Sequence, residues 1–591
     1  MAKHMINYDK FPVVQVSDHH TGCWIGWEAI IGEVKASLER LDKPVKKVVI
    51  ECYQGVIDPE IIPVFRSAFG KSNFVISSDA MLTEEEINMF FHEDITDDEL
   101  FGYMTRYDID RFFDKEKVKV VQQYIDSLEG TVIVYGTGAA YLCQDPDILI
   151  YADMARWEIQ QRFRRNEVSN IGVDNRNEHP SLQYKRAFFV DWRICDRFKK
   201  RLMHHWDYVL DTNIPDLPKM VVAGKVWEGL RKTASQPFRV VPFFDPGPWG
   251  GQWMKEVCDL DRSTVNFAWC FDCVPEENSL LLGFGDITIE IPSINLVFAF
   301  PEQLLGVPVY GRFGDEFPIR FDFLDTMEGG NLSLQVHPLT GYIQEKFGMH
   351  YTQDESYYLL DAGEDAIVYL GLKKGVCPED MIAELKEAQE TGVFDAEKHV
   401  GVYPVKKHDH ILIPSGTVHC SGKNSMVLEI SATPFIFTFK LWDWGRLGLD
   451  GKPRPINIEH GEKVIQWNRT ESWVKRELVN KFTVIRKEEG LLEEKTGLHA
   501  QEFIETRRHW FSRPVLHHTN GSVNVLNLVE GREIIVESPT GVFEPFVVHY
   551  AETFIVPAAV GSYTIRPYGE SEGKTCATIK AYVRHEASES I

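Results

Sequence analysis

Three polar side chains alternate with apolar ones in the segment 332–338, Leu-Ser-Leu-Gln-Val-His-Pro. In an extended strand, residues two apart point to the same face, so Ser333, Gln335 and His337 share one side. Burying such groups among apolar neighbours costs roughly 1–3 kcal/mol each unless they find partners. A metal ion held by Gln335 and His337 would satisfy both of these side chains at once.

Two further residues complete a candidate ligand set. Glu355 begins another predicted strand, and His419 follows a strand and a Pro/Gly turn at 411–418. An amide, a carboxylate and two imidazoles suit Zn2+ or another divalent metal. Because three of the four ligands are neutral, the bound ion would keep about one positive charge and act as a Lewis acid. Each residue alone is more simply a core or turn residue, but the four together favour a metal site.

Short β-strands would position these ligands. Alternating segments between Gly and Pro turns predict strands at 285–290, 331–337, 356–360, 366–371, 411–413, 426–430 and 436–441. One helix is predicted at 378–391, with a proline at its start and Gly392 just past its end. Further strands are predicted at 522–528, 533–536, 546–548, 553–556 and 562–566. This pattern predicts two all-β barrels of jelly-roll type, a double-cupin architecture.

The first part of the chain has a different pattern. Residues 46–54, 131–135 and 147–151 are predicted buried strands, each followed by a turn and a helix. Thr83 and Glu86 form a capping-box pattern at the start of another helix. Such units in series predict a multidomain chain that begins with an α/β domain containing a parallel sheet. The predicted domains are an α/β domain over 1–220, a metal-binding cupin over 221–460 and a second, metal-free cupin over 461–591.

The composition limits the classes of function. The 591 residues include 88 Asp and Glu against 63 Lys and Arg, and the net charge of −25 opposes binding to nucleic acid. The sequence has neither a signal-peptide-like start nor an apolar stretch of about 20 residues. Ten scattered cysteines give no disulfide framework. These features predict a cytoplasmic protein without nucleic-acid or membrane partners and leave its oligomeric state open.

The segment 332–338 resembles the signature strand of the class I mannose-6-phosphate isomerases. Other segments resemble this family in the same order: 249–251, 301–306, 317–325, 413–419, 427–430, 437–454, 529–531 and 555–558. The resemblance covers about residues 236–591. It implies a metal-dependent aldose–ketose isomerase of carbohydrate metabolism that interconverts mannose 6-phosphate and fructose 6-phosphate through a cis-enediol.

The resemblance also implies roles for individual residues. Arg446 would stabilise the enediolate oxygens, and Glu429 would carry the proton or assist ring opening. Ser333 and Lys440 would bind the substrate. The alternatives are an ion pair in a surface loop for Arg446, and a structural carboxylate that holds a neighbouring ligand or arginine for Glu429.

Three positions depart from the family pattern. The family usually has lysine where this chain has Gln353 and Asp322, and arginine where it has Lys440. The loss of two cations would weaken anion binding and bears on the identity of the substrate more than on the metal. Two alternatives to the isomerase therefore stay open, which are a non-catalytic sugar or sugar-phosphate sensor and an isomerase for a different sugar.

Segments 132–142 and 149–165 resemble late segments of P-loop nucleoside or nucleotide kinases, in which an arginine-bearing helix closes over phosphates. The chain has no Gly-x-x-x-x-Gly-Lys-Ser/Thr motif, and residues 53–59 lack its glycines and lysine. The arginines of 156–165 and the basic residues 199–201 are interpreted as a solvated helix face. The N-terminal domain is therefore predicted to be a degenerate kinase-like module for scaffolding or ligand sensing. A kinase–isomerase fusion is opposed by the missing lysine.

Overall fold

The computed structural model describes residues 7–70, 73–500 and 502–585. The chain divides into two compact units, one of residues 13–232 and 279–299, the other of 7–12, 233–278 and the residues from 300 onward. The segment 279–299 was predicted inside the first barrel, and that prediction is wrong. Its strand Ser279–Phe284 pairs in parallel with Val13–Ser17 and antiparallel with Ile287–Pro292. Alternation in the sequence indicates a strand without identifying its partner.

The N-terminal unit is built on a seven-stranded sheet. In spatial order its strands are Cys23–Ile25, Lys219–Val222, Tyr208–Asp211, Ile148–Asp153, Val45–Cys52, Gly130–Gly136 and Phe74–Ile76. The last five run parallel to their neighbours, and the first two pair antiparallel. The predicted mainly parallel sheet is therefore confirmed. The earliest of the parallel strands lies in the middle of the sheet, so the order along the chain reverses beside it.

Helices cover this sheet with apolar faces. They are Trp27–Glu39, Asp58–Phe69, Glu84–Phe90, His92–Ile95, Lys115–Ser127, Ala139–Leu142, Arg156–Arg164, Pro180–Arg186, Trp192–Leu202, Ala223–Thr233 and Ile294–Ala299. Ile30 and Val34 from the first helix and Phe65 from the second pack on Val48 and Ile133 of the strands. The capping box predicted at Thr83 is present, because its side chain and that of Glu86 each bond the other's backbone N–H.

The second unit begins with a sandwich of two antiparallel sheets. In spatial order the six-stranded sheet contains His410–Ile413, Glu355–Ala362, Ser425–Ala432, Ile319–Asp325, Trp269–Cys273 and Phe243–Asp245. The five-stranded sheet contains Val400–Pro404, Ile367–Leu372, His419–Ser421, Leu334–Val336 and Phe439–Trp442. Every residue of Ile319–Asp325 and Ser425–Ala432 is buried, so both faces of the larger sheet are covered.

A second sandwich follows in the same unit. Its six-stranded sheet contains Thr483–Glu488, Leu491–Gly497, Ile504–Phe511, Cys576–Val583, Asn524–Glu530 and Thr553–Val556. The facing sheet contains Val515–His518, Ser562–Pro567, Glu533–Glu537 and Phe546–His549. Apolar residues from both sheets share one core, for example Phe511 and Leu526 with Ile534 and Ile565. The chain is thus a multidomain, β-rich protein. It has two all-β sandwiches where the strand pattern predicts two all-β barrels.

Short helices connect the strands of this unit. They are Trp253–Val257, Pro301–Leu305, Val307–Phe313, Thr340–Phe347, Pro378–Thr391, Ala396–His399, Ile458–Val464 and Glu471–Glu477. The helix predicted at 378–391 has those bounds, and Gly392 after it has the left-handed φ of 72° typical of a helix C-terminus. Across the described residues of both units, every helix is too short or too polar to span a bilayer.

Candidate metal centre and catalytic site

Three of the four predicted metal ligands meet between the two sheets of the first sandwich. His337 and His419 come from neighbouring strands of the five-stranded sheet, and Glu355 begins a strand of the six-stranded sheet. Their ligand atoms all lie within 4.8 Å of one another, and all three side chains are buried. Glu355 Oε1 is 2.7 Å from His419 Nε2, and Glu355 Oε2 is 3.2 Å from His337 Nε2. These side chains therefore converge on one point.

Gln335, the fourth predicted ligand, lies beside this group. It is directly opposite His419 in the pairing of the two strands, and its Nε2 is 3.3 Å from His419 Nε2. The oxygen and nitrogen of a glutamine amide have nearly the same shape, so a half-turn of the amide places its oxygen at this position. The residue is only 7% exposed. All four residues are thus close enough to share one ion.

Backbone carbonyls orient both imidazoles. His337 Nδ1 is 3.3 Å from the carbonyl oxygen of Phe437, and His419 Nδ1 is 2.8 Å from that of Thr417. A carbonyl only accepts hydrogen bonds, so each Nδ1 carries the proton and each Nε2 keeps its lone pair. Two lone pairs then face the Glu355 carboxylate, and the buried His337 Nε2 has no hydrogen-bond partner. Acceptors that face one another in this way need a cation between them, so these residues fit a divalent metal ion.

A tight turn brings His419 into this group. Gly416 has φ of +84°, in the left-handed region that L side chains rarely adopt. A Cβ atom at Gly416 would lie 2.7 Å from Gln466 Cγ and 2.9 Å from the carbonyl oxygen of Val464. The glycine of the predicted Pro/Gly turn is therefore required both by its backbone conformation and by space.

Further charged residues line the same face of the six-stranded sheet. Asp322 is directly opposite Glu429, and Ser431 is opposite both Arg320 and Glu355. Arg320 Nε is 3.4 Å from Asp322 Oδ1 and 3.0 Å from Ser431 Oγ, and its Nη2 donates to Glu429 Oε1. Burial raises the pKa of Asp322 to about 7, although Arg320 acts in the opposite direction. Three carboxylates thus share this interior with one guanidinium, and a divalent cation would balance them.

Gln353 connects the candidate metal ligand Glu355 to the candidate proton carrier Glu429. Its Nε2 donates to Glu355 Oε2 at 2.8 Å and to Glu429 Oε1 at 3.0 Å. Burial raises the pKa of Glu429 well above its usual range, and the Arg320 guanidinium opposes this shift. Glu429 contacts both Gln353 and Arg320, which fits a structural carboxylate that holds its neighbours in place. Its raised pKa fits an acid–base group.

Ser333 and Arg446 belong to a neighbouring polar cluster around Asp443. Ser333 Oγ donates to Asp443 Oδ1 at 2.9 Å, and Arg446 donates to the same oxygen from Nε at 3.0 Å and Nη2 at 2.8 Å. Arg454 Nη1 is 3.0 Å from Asp443 Oδ2. Two guanidinium groups and one carboxylate leave one net positive charge in this cluster, which suits an anionic group of a substrate.

Lys440 is paired in register with a candidate metal ligand. It is directly opposite Gln335 in the pairing of Leu334–Val336 with Phe439–Trp442. Residues opposite each other in antiparallel strands have their side chains on the same face. This register places Lys440 on the face that carries the ligands, as its predicted role in substrate binding requires.

Sequence reasoning missed two residues of this site. Arg320 supplies a buried cation on the strand where the family's lysine is replaced by Asp322, so the expected loss of two cations is partly offset. The Arg-x-Asp spacing, which puts both side chains on one face of a strand, was the available signal. Asp443 lies in the segment 437–454, but no local signal marks it as the common partner of two arginines, because that role depends on tertiary contacts.

The N-terminal unit has a cleft at the carboxyl ends of its parallel strands. The cavity is about 580 Å³ and is lined by residues 52–59, 76–78, 135–137 and 167–174, with further residues around them. Ligands of open α/β sheets commonly bind at this edge, where the strand order reverses. Asp58, which accepts from Tyr135 at 2.7 Å, lines it with Glu84, Asp174 and Arg176. Carboxylates therefore outnumber cations here.

Three of the seven cations in the kinase-like segments are buried, so the interpretation as a solvated helix face is wrong for these three. Arg156, Arg162 and Lys199 are 2%, 0% and 0% exposed. Lys199 Nζ is 2.6 Å from Asp153 Oδ1, and Arg156 Nη2 donates to Asp196. Each charge is thus held by the protein itself, whereas Arg164, Arg165 and Arg201 are exposed as predicted.

The Gly-Thr-Gly segment at 136–138 is occupied by a side chain of the protein. Glu51 accepts from the backbone N–H of Gly138 at 2.7 Å and from that of Ala140 at 2.8 Å. Burial raises the pKa of Glu51 to about 8, and these two backbone bonds oppose the shift. In a phosphate site, backbone amides at the start of a helix are free to bind the phosphate. Here these amides already bind a carboxyl group.

The chain is similar in sequence to mannose-6-phosphate isomerases. The chain is 28% identical over 153 residues to mannose-6-phosphate isomerase ManA of Bacillus subtilis, which covers 26% of this chain and 45% of that protein. It is 26% identical over 234 residues to a mannose-6-phosphate isomerase of Streptococcus mutans, which covers 38% of this chain and 68% of the relative. The chain thus spans less than half of one of these relatives and about two thirds of the other. Their names agree with the expected class of enzyme, an aldose–ketose isomerase.

Two further comparisons concern the fold and the N-terminal unit. A crystal structure of mannose 6-phosphate isomerase from Bacillus subtilis matches 59% of this chain and 100% of its own, with 18% identity and a TM-score of 0.48. Residues 26–235 match a family described as a domain of unknown function, DUF8485. Apart from residues 233–235, that match lies within the unit of the parallel sheet, and it assigns no activity to it.

Proposed function

We propose that this protein is a metal-dependent isomerase that interconverts mannose 6-phosphate and fructose 6-phosphate. The observation that supports this most strongly is the meeting of His337, Glu355 and His419 between the sheets, with Gln335 beside them. Homology to the isomerases adds the substrate class. In this proposal the first sandwich is the catalytic cupin and the second a cupin without metal, and the ten free thiols suit a reducing cytoplasm.

The four ligand residues would hold Zn2+ or another divalent ion. When bound, such an ion supplies a Lewis acid that polarises oxygen atoms of the sugar. Arg320 and Gln353 keep the Glu429 carboxylate in place through hydrogen bonds that all end on Oε1. The second oxygen of Glu429 would take the proton from C2 of the open-chain sugar and return it to C1, with a cis-enediol between the two transfers.

The cluster around Asp443 would bind the anionic parts of the substrate. Asp443 fixes the direction of Arg446 through two hydrogen bonds to one oxygen, so the guanidinium is positioned before substrate arrives. Arg446 would stabilise the negative charge that develops on the enediolate oxygens. Ser333 and Lys440 would contact the phosphate or the hydroxyl groups of the sugar.

Turnover by the metal-loaded full chain tests this proposal. Zinc-loaded protein should convert mannose 6-phosphate to fructose 6-phosphate, and treatment with a chelator should abolish the activity until zinc is restored. His337→Ala and His419→Ala should lose both the metal and the activity. His350→Ala is the matched control, because His350 is an exposed residue of the same sandwich and should leave both unchanged.

A non-catalytic sensor of sugars or sugar phosphates is the second candidate. Gln353 and Asp322 replace lysines of the family, and Glu429 is tied to its neighbours by three hydrogen bonds. A sensor would bind mannose 6-phosphate with metal present but show no turnover, whereas an isomerase for a different sugar would turn over another aldose phosphate. Loss of isomerase activity in a folded Arg446→Ala variant would rule out the sensor.

For the N-terminal unit we propose a kinase-like fold that no longer transfers phosphate. Lys199 and Arg156 are held in buried ion pairs with aspartates, and the Glu51 carboxyl group accepts hydrogen bonds from the backbone N–H groups of residues 138 and 140. The cleft at the strand ends would serve ligand sensing or scaffolding. Isothermal calorimetry with ATP and Mg2+ tests this, because a kinase requires binding and this proposal expects none.

A further inference from the structure

Lys580 carries a buried ammonium group inside the second sandwich. It is directly opposite Arg507 and Leu526 in the pairing of its strand, and Leu526 belongs to the core between the two sheets. The residue is only 7% exposed. Within the described part of the chain its ammonium has neither a hydrogen bond nor an ion pair within 4 Å, and it lies 5.5 Å from the centroid of the Tyr582 ring. Glu493 and Glu505 act on its charge only from a greater distance.

A largely buried cation without a direct ion-pair partner is costly, so Lys580 would be stabilised by a partner from outside the chain. Burial lowers the pKa of Lys580 to about 8, which still leaves the charged form in the majority at pH 7. Replacing such a group by an apolar residue would be the simpler way to fill a core. The presence of a lysine here therefore points to a ligand.

The acidic side chains nearby are already paired. Glu505 accepts from Arg507 Nε at 2.9 Å and from the Tyr582 hydroxyl at 2.6 Å, and it lies 2.9 Å from Lys495 Nζ. Glu493 accepts from Arg507 Nη1 at 3.0 Å. Burial acts to raise the pKa of both carboxyl groups, but neighbouring donors lower each to about 2. Both carboxyl groups thus bind other donors directly, and Lys580 is the cation of this cluster without a direct partner.

A small cavity lies beside Lys580, and hydrogen-bond donors dominate its lining. Its volume is about 20 Å³, room for one water-sized group such as a single anionic oxygen. Arg507, Asn524 and the loop 518–520 line it together with Lys580, and none of the described lining residues is acidic. In that loop the ring Nδ1 of the histidine at 518 accepts a backbone N–H at 2.7 Å, so a neutral ring carries its proton on the outer nitrogen.

We propose that the second sandwich binds a small oxyanion at Lys580, with one anionic oxygen in the cavity and the rest of the group at its mouth. The ligand is phosphate, or the phosphate group of a larger metabolite whose remainder stays outside the sandwich. This site is separate from the metal ligands in sequence and in strand pairing. The proposal does not depend on isomerase activity, and it gives the second sandwich a function of its own.

Calorimetric titration of the full chain with sodium sulfate, and then with inorganic phosphate, at constant ionic strength tests the proposal. We expect a saturable site that Arg446→Ala leaves intact. Lys580→Met should weaken binding by at least about tenfold, because a charged hydrogen-bond donor is lost. Lys487→Met is the matched control, since Lys487 is exposed on the edge strand of the same sheet and the change in net charge is identical. Should Lys580→Met fail to fold, His518→Ala at the exposed mouth replaces it, with a severalfold loss expected.

The same titration in Arg446→Ala separates this site from the first sandwich. Binding that persists in Arg446→Ala and weakens in Lys580→Met supports the proposal. Binding that is lost in Arg446→Ala, unchanged in Lys580→Met, equally reduced by Lys487→Met, or absent for both anions overturns it. Mannose 6-phosphate titrated into Arg446→Ala then identifies the source of the anion. Tighter binding than phosphate indicates a sugar phosphate, and equal binding indicates the free oxyanion.

Discussion

Replacing Arg320 by methionine is the sharpest test of how the interior of the first sandwich is balanced. Arg320 is buried between Asp322 and Glu429, 3% exposed, and donates to Ser431 as well. Arg320→Met keeps the approximate length of the side chain but removes the one guanidinium that faces these carboxylates. Two buried acidic groups would then have to take up protons or remain charged without a partner.

The expected cost follows from the loss of one member of a buried ion pair, which is about 3–5 kcal/mol. Urea unfolding followed by tryptophan fluorescence should show a fall of this size in the free energy of unfolding of the C-terminal unit. Arg312→Met is the control, because Arg312 is exposed and stacks on aromatic rings instead of pairing with a carboxylate. That variant should change the free energy by less than about 1 kcal/mol.

A double-mutant cycle distinguishes the ion pair from simple packing. Glu429→Gln in the Arg320→Met background should recover part of the loss, because the unpaired carboxylate is removed along with its partner. The coupling energy should be at least about 1 kcal/mol in the stabilising direction. Strictly additive effects, or a loss in Arg320→Met no larger than that in Arg312→Met, would refute the balance of charges described for this interior.

Three further predictions concern the turn, the pH dependence and the catalytic cation. Gly416→Ala should lower zinc affinity and reduce the free energy of unfolding by about 1–2 kcal/mol, because φ is +84° there. Metal analysis and urea titration measure the two effects. Gly341→Ala is the control and should reduce neither quantity, because Gly341 lies in a helix with open space around it. Burial lowers the pKa of His410 to about 3, so the unfolded chain takes up the proton first as the pH falls. Roughly 5 kcal/mol of stability should be lost between about pH 6.5 and pH 3, and a His410→Gln variant whose urea midpoint fell just as steeply would contradict this. Arg446→Ala should reduce kcat by about a hundredfold in a coupled fructose 6-phosphate assay, whereas Arg513→Ala, an exposed ion-pair residue in the other sandwich, should leave kcat unchanged.

The candidate metal ligands could be singled out in the sequence because most of them lie in a short motif with local meaning. Alternation in a strand placed Gln335 and His337 on one face, and the turn before His419 was readable from its proline and glycine. Glu355 was included only for its ligand chemistry and its place at the start of a predicted strand, since strand pairing across the sandwich is not encoded in any one segment.

Features that depend on partners distant in sequence escaped prediction. Arg156 and Lys199 look like solvated cations because charged side chains on helices usually are, and only the tertiary structure shows the aspartates that bury them. The strand predicted at 285–290 overlaps the observed strand Ile287–Pro292, but the strand Ser279–Phe284 before it was not predicted, and its parallel partner lies more than 260 residues earlier in the sequence. The sequence around Lys580 likewise does not show that its ammonium lacks a direct partner, because this depends on the tertiary contacts of Glu493 and Glu505.

The return of residues 279–299 to the N-terminal unit has a consequence for the order of folding during synthesis. Asn295 hydrogen-bonds both Lys199 and Asp153, and the backbone N–H of Glu290 donates to Asp211. When a nascent chain has reached residue 235, the pair of Lys199 and Asp153 therefore still lacks Asn295. The carboxylate of Asp211 likewise still lacks the backbone N–H of Glu290. Since domains usually fold as they leave the ribosome, this one must wait about 60 residues longer, or several seconds at common elongation rates. A fragment that stops at residue 235 should accordingly be less soluble than one that supplies 279–299 on a linker.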